Sequence, residues 1–101
     1  MKNTELLRTL ILSAVANDYE DWSTVAEEVI EWSKERDQDY STEEVGEELR
    51  QLIVQGLVAA YNLSPCEPFS REVNGIPECL EGVYFLVTQN GRSLLNMASL
   101  K

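Results

Sequence analysis

The chain reads as an α+β protein, mostly helical: a three-helix core, then a two-stranded β unit, then a short C-terminal helix. Two observations predict this. Apolar residues recur at helical spacing in three successive blocks, each opened by a capping residue. They are followed by two β-prone runs, residues 57–61 and 83–87, on either side of a segment holding all three prolines. At 101 residues the chain suits one domain, large enough for a core without metals or disulfides. An apolar content of 44% argues against disorder despite a net charge of −10.

Each element has a local cause. Asn3 or Thr4 can cap a first helix whose stripe is Leu6, Leu7, Leu10, Ile11 and Ala14, fading at the turn-favouring pair Asn17-Asp18. Residues 19–22 form a connector or a minimal strand. Thr24-x-x-Glu27 has the form of a capping box opening a second helix through about Arg36. Its inward stripe is Val25, Ala26, Val29, Ile30 and Ser33. Trp22, just ahead of that helix, reads as a hydrophobic staple with Ala26. After the polar break at residues 36–39, Ser41 or Thr42 caps the third helix, and only Ser41 completes a box, with Glu44.

The third helix should bury Val45, Leu49, Leu52 and Ile53 against Leu7, Leu10, Ile11, Val29 and Ile30. Gly56 ends it in the left-handed conformation. Residues 57–61 are extended, residues 64–82 a long loop, and residues 83–87 the clearest strand. Asn90-Gly91 has the form of a hairpin turn, but the residues after it do not alternate. Thr88 is therefore expected to cap a last helix holding Gly91 in its first turn and Leu94, Leu95, Met97, Ala98 and Leu100 at helical spacing.

The charge is unevenly placed. Thirteen of the eighteen acids fall within residues 18–48, against Lys34 and Arg36. The third helix carries Glu43, Glu44, Glu47 and Glu48 outside its apolar stripe, with Arg50 the one cation among them. Such a face either is solvated surface or meets a basic partner. Trp32 lies off the second helix's stripe and is a candidate exposed anchor or core edge.

Catalysis finds little footing. The chain has no histidine, no glycine-rich phosphate loop and no nucleophile motif. Glu43-Glu44 and Glu47-Glu48 are sequence neighbours on a helix, so each pair points apart. No catalytic residue, cofactor or metal ligand is expected. Cys66 and Cys79 read as free thiols, since the absence of an export signal and of a membrane-length apolar run points to the cytoplasm.

Residues 48–58, ELRQLIVQGLV, and residues 84–92, YFLVTQNGR, together carry a resemblance. They resemble the third helix and wing of winged helix-turn-helix regulators of the MarR and PadR type, over most of the chain from Thr4 to Leu95. The resemblance implies a DNA-binding transcription regulator, with Thr42, Glu43, Gly46, Glu47 and Arg50 facing the major groove and Arg71 on the wing. Thr42, Arg50, Arg71 and Arg92 would then be the DNA-binding set. Two of these groove-facing positions are glutamates, however, with Glu44 and Glu48 beside them, and eight Lys and Arg are spread over the whole chain. Duplex binders commonly rely on roughly six to ten phosphate contacts. The residues therefore favour a non-enzymatic interaction module, monomer or homodimer, that binds a protein partner with a basic surface through Glu43, Glu44, Glu47, Glu48 and Trp32. Duplex DNA is not expected to bind the isolated domain tightly.

Overall fold

Helical spacing of apolar residues sets the first element. In the computed structural model, which describes residues 4–65, 69–73, 75–77 and 79–97, α1 (Thr4–Ala14) buries Leu7, Leu10, Ile11 and Ala14. It buries Leu12 as well, because α2, α3 and α4 all pack against this helix. Asn3, one of the two expected caps, lies outside the described residues. Two later segments satisfy carbonyls beyond the helix end, where intrahelical partners run out. The Val87 N–H donates to the Val15 carbonyl at 3.0 Å, and Arg92 Nη2 donates to the Ala16 carbonyl at 2.7 Å.

The second helix begins earlier than its sequence signature indicates. A two-residue strand, β1 (Glu20–Asp21), runs directly into α2 (Trp22–Lys34). The cap is Asp21, whose Oδ1 accepts from the Thr24 N–H at 3.0 Å, so Thr24 is inside the helix. Asp is the better cap of the two residue types, and here it also closes the strand. Trp22 is accordingly the first helical residue rather than a staple ahead of the helix. The helix ends at Lys34, before Arg36. Asp37 takes a left-handed φ of 57° and the Gln38 N–H turns back to the Ser33 carbonyl at 2.9 Å.

In α3 (Thr42–Val54) the expected box is present: Ser41 Oγ accepts from the Glu44 N–H at 3.1 Å, and Glu44 Oε1 accepts from the Ser41 N–H at 3.0 Å. Gly56, at φ 75°, turns the chain out of the helix into β2 (Val58–Leu63). Val45, Leu49 and Leu52 are buried in one cluster with Leu7, Leu10, Ile11 and Val29, as expected. Ile30 and Ile53 are only half-buried, at its edge.

The sheet is larger than the expected two-stranded unit. Among the described residues it has four antiparallel strands in the order β1-β4-β2-β3, with β3 at Ser70–Glu72 and β4 at Tyr84–Val87. Two residues of β1 are too few to display a period, and Ser-Arg-Glu has no β-prone residue, so tertiary contacts decide both. Strand β3 falls inside the expected 64–82 loop. It is held by its ladder to β2, by the Val73 N–H donating to the Ala60 carbonyl at 2.8 Å, and by the Tyr19 hydroxyl within 3.3 Å of Ser70 Oγ. The Tyr19 ring also stands edge-on to Tyr61 at 5.1 Å. Phe85 of β4, fully buried, fills the sheet's share of the core.

The last element is a helix, α4 (Gln89–Met97), and no hairpin forms at Asn90-Gly91. Thr88 Oγ1 accepts from the Gly91 N–H at 3.1 Å and donates to the Gly56 carbonyl at 2.6 Å, so the cap also ties α4 to the exit of α3. Leu94 and Leu95 pack on the core. Ala98 and Leu100, expected to continue the stripe, lie outside the described residues. The architecture is mixed α+β, with about half of the chain in its four described helices.

Candidate partner-binding surface

The four glutamates of α3 divide by environment. Glu43 and Glu47 are exposed, and Glu47 Oε1 lies 3.6 Å from Arg50 Nη1, one turn along the same helix. Glu44 is half-buried and its carboxylate closes the capping box. Glu48 is half-buried too, its Oε2 3.8 Å from Arg8 Nε on α1. Burial pushes the Glu48 carboxyl above its ordinary pKa, and the Arg8 charge opposes that rise. Glu44 and Glu48 thus serve the fold, leaving Glu43 and Glu47 as the outward acids of this helix. The four do line one shallow surface depression with Ser41 and Gln51.

The positions that the resemblance assigns to a DNA groove are also divided. Gly46 is buried, not groove-facing: a methyl group placed there would stand 3.3 Å from Leu80 Cδ1 and 3.4 Å from Trp22 Cη2. The loop before β4 and the first residue of α2 therefore cover the middle of α3. Thr42 lines a cleft beside α2. Arg50 stands beside Glu47, and Arg92, an exposed residue, donates to the Ala16 carbonyl. Arg71 is exposed on β3, at the sheet edge.

That cleft has a volume of about 610 Å³ and runs along α2, beside the start of α3 and the loop before β4. Its lining is Trp22, Ala26 and Ile30, which share one row of α2, with Ser23, Glu27, Glu31 and Lys34 of the same helix and Thr42 and Glu81 from other segments. Trp32, expected as an exposed anchor or a core edge, is half-buried against the core, as is Trp22, and Trp22 also lines the cleft. The signal for the cleft was present in the i, i+4 pairs Ala26/Ile30 and Glu27/Glu31, an apolar row bordered by an acidic one. Glu81, from a distant loop, left no such signal.

Among the described residues, no group of three or more His, Cys, Asp or Glu side chains is gathered as metal ligands would be, and no helix is long and apolar enough to cross a membrane. Cys79 is an exposed free thiol, and Cys66 lies outside the described residues.

Glu20 experiences the acidity of this region most directly. Burial, then the charges of Glu28, Asp18 and Asp21, raise its carboxyl above the ordinary value. The folded state therefore holds that proton more tightly than the unfolded chain, and ionised Glu20 weakens the fold at neutral pH. Its effect on stability improves as pH falls through the raised pKa. Asp21 has the opposite sign: the hydrogen bonds from Thr24 lower its pKa, so its stabilisation is present at neutral pH and is lost on acidification. Glu20→Gln should raise the melting temperature at pH 7, with the gain shrinking as pH falls through the raised pKa of the native carboxyl. Thermal melts of both proteins across that range test this. A constant offset would assign the effect to something other than charge.

Comparison with protein-family models, with curated proteins and with solved structures returns no match.

Proposed function

We propose that this chain is a non-enzymatic interaction module of the winged-helix type, offering the acid-rich surface of α2 and α3 to a basic segment of a protein partner. The chain order, with β1 paired to β4 and β4 to β2, supports the winged-helix part of this reading, in which β2 and β4 would serve as the wing strands. The observation that carries the function is the state of α3. Its outward side chains include Glu43 and Glu47, its central Gly46 is covered by Leu80 and Trp22, and Arg50 already has a carboxylate beside it. A helix in a major groove must meet phosphates at hydrogen-bond distance, where screening over roughly 8 Å gives no relief from like charge. A basic protein surface meets the same helix with favourable charge, which mainly speeds encounter.

Fluorescence anisotropy with a lysine-rich peptide and with mixed-sequence duplex DNA tests this reading at physiological salt. The unmodified domain should bind the peptide, more weakly as salt rises, and leave the duplex free. Glu43→Gln with Glu47→Gln should weaken peptide binding without loss of fold, because Gln is a good helix former and the capping box and the Arg8–Glu48 pair are retained. Nanomolar, sequence-dependent duplex binding would reverse the conclusion in favour of a transcription regulator.

A further inference from the structure

From the cleft along α2 we infer a docking site for a basic amphipathic helix of a protein partner, with leucine-like residues on its apolar row and Lys or Arg against its acids. The inference rests on the acidic-module reading and moves its centre from α3 to α2. Trp22, Ala26 and Ile30 recur every four residues and form one row along the helix, with Trp22 and Ile30 half-buried on either side of the buried Ala26. From Trp22 to Lys34 the row is about 18 Å long at 1.5 Å per residue, matching roughly three turns of a partner helix. Ala26 is the smallest residue in the row and sits at its middle, where it lets another helix approach closely.

Charge specifies the occupant. Glu27 and Glu31 run parallel to the apolar row, one residue on from Ala26 and Ile30, and Glu81 from the loop before β4 lines the same cleft. All three are exposed, so their fields reach a partner lying in the cleft. An acidic or neutral apolar helix would meet like charge or leave the carboxylates unmatched, whereas Lys and Arg flanking its apolar face meet the cleft's three acids. Lys34 reverses the sign at the C-terminal end of α2. It sets a direction, with the partner's cations over the span from Trp22 to Glu31 and a neutral or acidic residue beyond it.

The test uses the full chain carrying Trp32→Phe, so that Trp22 alone reports. It is titrated with a synthetic lysine-alanine helix bearing leucines at four-residue spacing, and with the same peptide in which glutamine replaces leucine. The leucine peptide should bind more tightly and shift Trp22 emission to the blue as the cleft is dried. Glu27→Lys with Glu31→Lys should weaken that binding roughly tenfold or more, and Glu43→Lys with Glu47→Lys only a few-fold, as distant charge does. Equal binding of the two peptides, or a larger loss from the α3 pair than from the α2 pair, would overturn the cleft and leave the acidic module standing. Failure of the unmodified chain to bind either peptide would remove the acidic-module reading itself.

Discussion

Gly91→Ala is expected to be among the most damaging single substitutions in this protein, although helix propensity alone gives it the opposite sign. Alanine is favoured over glycine within a helix by up to about 1 kcal/mol. Here the first turn of α4 lies directly on the exit of α3. A methyl group at Gly91 would overlap the Leu57 carbonyl oxygen and lie 2.7 Å from Val87 Cγ2. The carbonyl has little freedom to retreat, since it accepts from the Thr88 N–H at 3.0 Å. Overpacking of well-packed sites costs about 1–3 kcal/mol, and a clash with backbone belongs at or above the top of that range. Thr88→Ala, which removes the cap but adds no atom, should cost only about 1 kcal/mol. Urea unfolding of the two variants separates the effects. Equal or greater stability of Gly91→Ala would mean that α4 does not dock against β2 and β4 in this way.

Leu49→Asp should be at least as severe. Leu49 is fully buried in the cluster that joins α1, α2 and α3 to the sheet. Even truncation to alanine at such a site costs about 2–5 kcal/mol. An aspartate adds the desolvation of a carboxylate with no partner designed for it, placing the change in the extreme tail of single-mutant effects, above about 4 kcal/mol. Domains of this size hold only about 5–15 kcal/mol in total. The expected result by circular dichroism is a melting temperature lowered by roughly 20 °C or more, at about 4–8 °C per kcal/mol. A melt matching that of the parent would refute the three-helix core.

What the sequence revealed, and what it concealed, follows from the range of the interactions. Helices α1 and α3 and the helical fate of residues 89–97 rest on spacing and caps within a few residues of each other, and all three were legible. The start of α2 was misplaced at Thr24, whereas Asp21 caps it, and the strand that Asp21 closes exists only through pairing with Tyr84 and Phe85. Strand β3 has no pattern of its own and depends on Tyr61, Asn62 and Leu63. The acidic surface followed the same rule. Its overall sign was evident from composition, but the assignment of Glu48 to Arg8, the covering of Gly46 by Leu80, and the place of Glu81 beside α2 are all contacts between distant segments.

The pairing of β1 with β4 also has a kinetic consequence. Glu20 lies opposite Phe85, so the edge strand that leads into α2 finds its partner only after nearly the whole fold has been synthesised. Until then the three helices can gather through contacts between near neighbours in sequence, while the space that Phe85 fills stays open to water. The pairing shares its long loop-closure entropy with the Val87–Val15 and Arg92–Ala16 hydrogen bonds, so the N- and C-terminal segments come together as one non-local closure, of the kind that slows folding. A nascent chain released before Phe85 would expose the apolar faces of α1 and α3 together, the condition under which partly folded domains aggregate.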